Sequence, residues 1–185
     1  MKVISTAIEG VVIIEPMVFR DSRGFFLETY QRERYARQGV SETFVQDNLS
    51  FSVKNTLRGL HYQIRKPQAK LVQVVFGDIY DVVVDLRPES PTYGKYEGVH
   101  LSAENCRQLF IPAGMAHGFC VLTDTALFFY KCSDYYDPKD EAGVPWNDPD
   151  IGIDWPVKEP IISDKDQRYS LLKDLTPDRL PGGAH

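Results

Sequence analysis

Apolar and polar residues alternate in short stretches along most of this chain, with the period of a half-buried β-strand. Residues 24–30, GFFLETY, alternate in this way. The same alternation in residues 43–53, TFVQDNLSFSV, puts the amides of Gln46 and Asn48 on one face. We therefore expect short strands that turn one face toward a core.

Turn-forming residues interrupt these stretches about every ten residues. Residues 70–91, KLVQVVFGDIYDVVVDLRPESP, contain two β-branched runs around Gly77-Asp78, and a second such turn falls at Thr123-Asp124. Both turns are typical hairpin signals, so we expect a hairpin at each. The spacing of the turns predicts an all-β sandwich or barrel.

Two segments depart from the β pattern. Residues 31–39, QRERYARQG, have a helix-forming composition and end on Gly39, a residue type that often follows a helix. From residue 135 onward the chain is rich in Pro, Asp and Trp, which predicts a wrapping loop over 135–185 that contains a C-terminal helix at 164–175, DKDQRYSLLKDL. No shift in composition marks a second domain, so we expect one domain over residues 1–185.

The composition is ordinary for a globular protein of 185 residues, with 43% apolar and 25% charged residues. A net charge of −5 argues against nonspecific attraction to nucleic acid or to an anionic membrane. The thiols of Cys106, Cys120 and Cys132 show no C-x-x-C spacing, which is typical of reduced cysteines. The N-terminus resembles a first strand rather than a signal peptide, and no apolar run is long enough to cross a bilayer, so we expect a cytoplasmic protein.

The stretch LRGLHYQ, residues 57–63, does not follow simple alternation. Leu57 and Leu60 are its only aliphatic side chains, and four polar or ionisable groups crowd around Gly59. Such a stretch is either a loop-to-strand corner or the wall of a cleft.

A second stretch, IPAGMAHGF, raises the question of a metal. Its Pro-x-Gly-x-x-His spacing, which ends at His117, resembles the second signature of the cupin superfamily of jelly rolls. Metal-binding cupins carry further histidine and glutamate ligands in a first signature, where this chain has His61 but also Gln63 and Lys70. An ammonium has no lone pair to give to a cation. The sequence therefore predicts a cupin-shaped cleft without a metal site.

The ionisable residues on this β block suit proton abstraction next to a carbonyl. They are Arg58, His61, Lys70, His117 and Tyr130. A neutral histidine is the usual base near pH 7, a phenol can act as the acid, and a cation can stabilise an enolate. Base and acid on opposite faces of a substrate would invert a stereocentre without a cofactor. Each residue also has an ordinary structural role open to it, so the hypothesis depends on their joint placement.

Five blocks of the chain resemble the nucleotide-sugar 4-keto epimerases of dTDP-deoxysugar pathways, a metal-free family with the cupin fold. The blocks are FRDSRGFFLETY, QDNLSFSVKNTLRGLHYQ, KLVQVVFGDIYDVVVDLRPESPTYGKY, IPAGMAHGFCVL and WNDPDIGIDWP. The resemblance implies a cupin-type double-stranded β-helix, or jelly roll, with short peripheral helices. It implies a homodimer in which N-terminal residues reach the partner's site. It also implies a cofactor-independent isomerase that inverts C3 and C5 of a dTDP-4-keto-6-deoxyhexose through enolates, in dTDP-L-rhamnose biosynthesis.

The resemblance further implies a role for each site residue. The catalytic residues would be His61 as general base, Asp166 as its partner, Tyr130 as general acid and Lys70 as the stabiliser of the enolate. The choice of Asp166 over Asp164 depends on a Lys-Asp pair of the family. The substrate-binding residues would be Arg23, Glu28, Gln46, Asn48, Arg58, His117, Tyr136, Glu141 and Lys165. The arginines suit a diphosphate, and Tyr136 suits stacking on a thymine.

Several alternatives stay open at the level of sequence. A related epimerase would invert only C3 or only C5 with the same base and acid, and a ketoisomerase on this fold would move the carbonyl between C3 and C4. A non-catalytic cupin would bind a nucleotide sugar as a sensor, whereas a metalloenzyme would lose activity with a chelator. One stacking tyrosine does not distinguish thymine from another base.

Overall fold

The computed structural model describes residues 1–183 and consists mainly of antiparallel strands. In chain order the strands are β1 (Lys2–Ser5), β2 (Val12–Glu15), β3 (Val18–Asp21), β4 (Gly24–Leu27), β5 (Gln46–Val53), β6 (Leu57–Gln63), β7 (Lys70–Phe76), β8 (Asp78–Asp85), β9 (Tyr96–Ser102), β10 (Gln108–Ile111), β11 (Met115–Val121), β12 (Thr125–Cys132) and β13 (Glu141–Gly143). The helices are α1 (Arg32–Ala36) and the 3-10 helices Asp166–Arg168, Leu172–Asp174 and Pro177–Arg179. Residues 184 and 185 of the predicted domain lie outside the described residues.

Two sheets face each other across the main core. The six-stranded sheet has the order β1-β2-β10-β7-β12-β5 and the five-stranded sheet has the order β13-β6-β11-β8-β9, while β3 and β4 pair separately. The core between the sheets includes Val72 and Phe128 from the first sheet and Val83 and Phe119 from the second. This double-sheet arrangement is a jelly roll, so the predicted fold class is confirmed.

Both predicted hairpins are wrong. Gly77 links β7 to β8, and Thr123 and Asp124 lie between β11 and β12, but each pair of consecutive strands is divided between the two sheets. A jelly roll carries the chain across from one sheet to the other at such corners, and a corner uses the same turn residues as a hairpin. Gly77 has a φ of 84°, a conformation that glycine adopts without steric cost.

The outer face of the five-stranded sheet is covered by the C-terminal segment. Leu60, Val82 and Val84 pack there in one cluster with Ile151 and Leu172. Burial of the sheet on both faces explains why its strands contain continuous apolar runs instead of alternation.

In place of the one helix predicted over residues 164–175, the C-terminal segment has two short 3-10 helices within that range. Extended residues at Tyr169 and Leu171 separate these two helices. The break lets both Asp166 and Leu172 turn toward the interior, where they are buried. Tertiary burial has therefore overridden the local helical composition.

The helix predicted near residues 31–39 is present as α1. The Gln31 side chain accepts a hydrogen bond from the Arg34 amide at its start, and Gly39 follows its end with a φ of 93°. Tyr35 of α1 is buried in a cluster with Ile14 and Leu71 of the six-stranded sheet.

The LRGLHYQ stretch forms β6, so of the two alternatives it is a strand in a cleft wall. Gly59 has a φ of 111°, and a Cβ at this position would lie 2.6 Å from both the Gly118 Cα and the His117 carbonyl oxygen. Glycine thus allows β6 to approach β11 closely. The pairing of the two strands places His61 opposite His117 in the register.

The three cysteines, Cys106, Cys120 and Cys132, are unpaired and buried. Among residues 1–183, the helices are too short or too polar to span a membrane.

Candidate active site

A cleft of about 730 Å³ opens among β6, β7, β11, β12 and the C-terminal segment. Of the predicted site residues, it is lined by Arg58, His61, Lys70, His117, Tyr130, Tyr136, Glu141, Lys165 and Asp166. An adjoining cavity of about 310 Å³ shares part of this lining and adds Gln46 and Asn48. The fold thus gathers at one place all the predicted site residues except Arg23 and Glu28.

His61 and Asp166 form a close pair at the edge of this cleft. Nε2 of His61 lies 2.7 Å from Oδ1 of Asp166, and the other carboxylate oxygen accepts a hydrogen bond from the Gly59 amide at 3.3 Å. Burial alone would raise the pKa of Asp166, but the hydrogen bond and the charge of His61, with the Gly59 amide, hold it below the usual value. An ionised carboxylate in this position orients an imidazole and stabilises its protonated form. Asp164 is exposed and makes no such contact.

Glu141 joins several groups next to this pair. It accepts hydrogen bonds from Nζ of Lys165 and from the Tyr136 hydroxyl, and one oxygen lies 3.8 Å from Nε2 of His61. Burial would raise the pKa of Glu141, but these hydrogen bonds and the neighbouring positive charge lower it. The hydrogen bond with Glu141, together with burial, raises the pKa of Tyr136 to about 12. Glu141 is therefore an ionised acceptor between the aromatic side chain and the histidine.

Tyr130 and Lys70 lie deeper, on neighbouring strands of the six-stranded sheet. Burial raises the pKa of Tyr130, an effect that the charge of Arg58 opposes, so the phenol stays protonated near neutral pH and can donate its proton. Burial lowers the pKa of Lys70, and the neighbouring Asp81 and Glu141 act in the opposite direction. A protonated phenol is what a general acid requires, and Asp81 and Glu141 favour the ammonium form of Lys70, which is the form that stabilises an oxyanion.

Two residues of this region were missed at the level of sequence. Asp81 lies against His117, with both carboxylate oxygens 3.0 Å from Nε2. The signal for it was an acidic residue inside the apolar run IYDVVVD. The Tyr169 ring lies edge-on at 5.9 Å from the His61 ring, and its hydroxyl donates to Glu141 at 3.3 Å. It follows the last of the matched sequence blocks, so nothing local marked it.

Arg23 and Glu28 lie away from the cleft of their own chain. Arg23 is in the turn between β3 and β4, where it pairs with Asp21 at 2.6 Å beside a surface cavity of about 400 Å³. Glu28 pairs with Arg34 of α1 at 3.0 Å. Their predicted contact with substrate stays a prediction, and within one chain the fold does not bring them to the other site residues.

The donor set of the cleft does not suit a metal ion. Within residues 1–183, no three His, Cys, Asp or Glu side chains are grouped so that they could hold one. Lys70 lines the cleft at a position of the first cupin signature where metal-binding cupins carry a ligand, and an ammonium repels a divalent cation.

The fold and the cleft together define an acid–base isomerase built on a cupin jelly roll. Comparison with known proteins places the chain within that class, because the sequence model of the dTDP-4-dehydrorhamnose 3,5-epimerases matches residues 5–174. The chain belongs to this family of isomerases.

Individual relatives agree with this assignment. A dTDP-4-dehydrorhamnose 3,5-epimerase from Methanothermobacter thermautotrophicus is 51% identical over 174 residues, which cover 92% of this chain and 94% of the relative. A crystal structure of a dTDP-6-deoxy-D-glucose-3,5-epimerase from Legionella pneumophila, in complex with dTDP-4-keto-L-rhamnose, superposes with a TM-score of 0.94 at 48% identity and covers 97% of both chains. A dTDP-4-dehydrorhamnose 3-epimerase from Streptomyces niveus is 43% identical and covers 93% of this chain and 84% of the relative.

Proposed function

We propose that this chain inverts both C3 and C5 of dTDP-4-dehydro-6-deoxy-D-glucose to give dTDP-4-dehydro-L-rhamnose, a step of dTDP-L-rhamnose biosynthesis. The observation that carries the proposal is the His61–Asp166 pair, at 2.7 Å, in a cleft that Tyr130 and Lys70 also line. Family membership supports the choice of substrate.

The chemistry follows from the ketone at C4, which acidifies the protons on C3 and C5. His61 removes one of these protons, and the electron pair of the broken C–H bond moves to the C4 oxygen as an enolate, which the charge of Lys70 stabilises. Tyr130 then donates a proton to the same carbon from the opposite face, and the centre is inverted. His61 then releases the proton that it took to water, and Tyr130 takes one up from water, so both side chains return to their starting states before the second centre reacts in the same way.

The remaining cleft residues suit the nucleotide and diphosphate. Arg58 lines the cleft beside Ser52, which accepts a hydrogen bond from its Nε at 3.0 Å, and its charge suits a phosphate. Gln46 accepts a hydrogen bond from the Tyr136 amide at 3.0 Å and donates one to Asn48 at 3.0 Å, so the three form a connected polar wall. Binding energy from these distant groups orients the sugar without taking part in the reaction.

Incubation of the purified enzyme with dTDP-4-dehydro-6-deoxy-D-glucose in heavy water, followed by proton NMR, tests the proposal. We expect deuterium at both C3 and C5 and formation of the L-rhamno product. His61→Ala should lose both exchange and product, because the imidazole is the group that takes the proton from the sugar. Full turnover by this variant would overturn the assignment of the base.

Inversion at C3 alone is the second candidate, since a 43% identical relative is named a 3-epimerase. The same experiment separates the two candidates, because a single-centre enzyme would place deuterium at one carbon only. Deuterium that is incorporated at C3 and never at C5 would establish this alternative.

We also propose that two copies form a homodimer in which Arg23 and Glu28 complete the partner's cleft. Leu49 and Phe51 of the edge strand β5 are 62% and 59% exposed, and Phe26 of the β3–β4 hairpin is 70% exposed. Exposed apolar surface of this kind marks a protein interface. A second copy whose cleft receives the β3–β4 hairpin would also give Arg23 a site to act in, since Arg23 lies away from the cleft of its own chain.

Light scattering and a complementation assay test this arrangement. We expect a dimer in solution, and we expect a mixture of the impaired variants Arg23→Ala and His61→Ala to recover activity after subunit exchange. In such a mixed dimer one cleft carries both changes and the other carries neither, provided that Arg23 acts across the interface. Absence of recovery in a confirmed mixed dimer would show that Arg23 does not act across the interface.

The unpaired state of the buried cysteines supports a cytoplasmic location, where thiols stay reduced. We propose this location together with a single domain over the whole chain. Cell fractionation with a tagged protein tests the location. Urea unfolding tests the single domain, and two separate unfolding transitions would contradict it.

A further inference from the structure

Asp81 is a buried carboxylate that the mechanism above does not use. It lies on the inner face of β8, between the core residues Ile79 and Val83, and is 0% exposed. Pairing of β8 with β11 brings it next to His117, where both of its oxygens lie 3.0 Å from Nε2. A buried charge without compensation is strongly destabilising, so the partners of Asp81 have to be identified.

The contact with His117 determines how that ring is protonated. Burial raises the pKa of Asp81, while the contact with His117 and the charge of Lys70 act in the opposite direction and favour the ionised form. In that form the carboxylate only accepts hydrogen bonds, so Nε2 of His117 carries the proton that it donates to Asp81. Burial lowers the pKa of His117 against the pull of Asp81, which favours the neutral ring. In a neutral ring with a proton on Nε2, the other nitrogen, Nδ1, has a free lone pair. His117 then acts as an acceptor, suited to a hydroxyl of the sugar.

Burial lowers the pKa of Lys70 and raises that of Asp81, and the charge of each residue opposes the effect of burial on the other. With His117 neutral, Lys70 is the cation that acts on Asp81 in this way. The titratable groups that act on Lys70 from the surrounding strands are Cys132 of β12, Asp81 of β8, Glu141 of β13 and His117 of β11. Burial raises the pKa of Cys132, so this thiol is neutral near pH 7. Glu141 already has its own cation in Lys165.

We propose that Asp81 is a positioning residue of the catalytic cleft, which holds His117 as a neutral acceptor and compensates the buried charge of Lys70. The inference rests on the proposed function, because Lys70 is the group that stabilises the enolate there. Asp81 does not belong to the described lining of the cleft and acts through the two residues that do.

The variant Asp81→Asn separates charge from shape. The amide has nearly the same volume and keeps an oxygen that accepts the Nε2 proton of His117, but the negative charge is gone. Without that charge Lys70 loses its proton at a lower pH, while Tyr130, whose pKa is raised, stays protonated longer. The alkaline limb of kcat/KM against pH should therefore move to lower pH by about one unit.

Asp85→Asn is the matched control on the same strand. Asp85 is also 0% exposed, but its partners are Arg87, Ser90 and Thr92, outside the cleft. This control should reduce stability and leave the alkaline limb in place. In a Lys70→Arg background the effect of Asp81→Asn on the limb should disappear, because a guanidinium stays charged over the whole range.

Three results would overturn the inference. The first is an alkaline limb of kcat/KM in Asp81→Asn at the same pH as in the wild type. The second is a shift of that limb in Asp85→Asn as large as the shift in Asp81→Asn. The third is a nitrogen-15 NMR spectrum of the wild type in which the proton of His117 is on Nδ1. Failure of the proposed function has a different signature, since the wild-type enzyme would then show no exchange in heavy water at all.

Discussion

Replacing Asp166 with asparagine tests the contact on which proton abstraction depends. The carboxylate is 3% exposed and lies 2.7 Å from Nε2 of His61. When His61 takes a proton from the sugar it becomes an imidazolium, and the negative charge of Asp166 stabilises it. Asparagine keeps the volume and an acceptor oxygen but removes this charge.

The expected loss in kcat follows from the hydrogen bond between His61 and Asp166, in which the imidazole becomes charged during the reaction. A hydrogen bond to a charged group contributes about 1.5–3 kcal/mol net, and about 1.36 kcal/mol corresponds to a factor of ten in rate. We therefore expect Asp166→Asn to lower kcat by about ten- to 150-fold. KM should change little, because the charge matters only after the proton has been transferred.

Steady-state turnover, with product measured by NMR, gives kcat and KM for the variant. Asp164→Asn is the matched control, since this carboxylate is exposed and lies two residues earlier in the same segment. It should keep the wild-type rate. A loss of less than about threefold in Asp166→Asn, or an equal loss in both variants of confirmed fold, would refute the pairing as the source of catalysis.

Tyr130→Phe should lower kcat about 100- to 10,000-fold. Proton exchange with heavy water should continue, because His61 is intact. Loss of exchange as well would contradict the role of Tyr130 as acid. Burial would raise the pKa of Asp85, but hydrogen bonds from Arg87, Ser90 and Thr92 lower it to about 2. The ionised carboxylate therefore contributes about 2 kcal/mol to the free energy of unfolding above pH ~4, and this contribution is lost as the pH falls toward 2. Urea unfolding at neutral and acidic pH should show this loss in the wild type and a smaller one in Asp85→Asn, and equal losses would refute it. A chelator should leave turnover unchanged, because Lys70 stands where a ligand would be required, and activity restored by a divalent ion would argue against this.

Much of the fold and of the cleft could be read from local patterns. Alternation with period two, interrupted by turns, predicted an all-β fold because each strand has to bury one face. The substitution of a lysine for a metal ligand, together with His61 and Tyr130 in matched blocks, predicted an acid–base cleft. The inference of the fold succeeded because the strand period is a property of the residues themselves, and the structure brings His61 and Tyr130 into one cleft, whereas their acid–base roles stay a prediction.

Other features depended on which distant segments meet. The turn at Gly77 has the residues of a hairpin, yet its two strands lie in opposite sheets, because partner choice depends on long-range pairing and not on the turn. His61 and Asp166 are 105 positions apart, and the buried contact of Asp81 with His117 spans 36. Contacts between residues so far apart in the sequence depend on how two sheets and a C-terminal segment pack around a common core, and no short window of sequence contains that information.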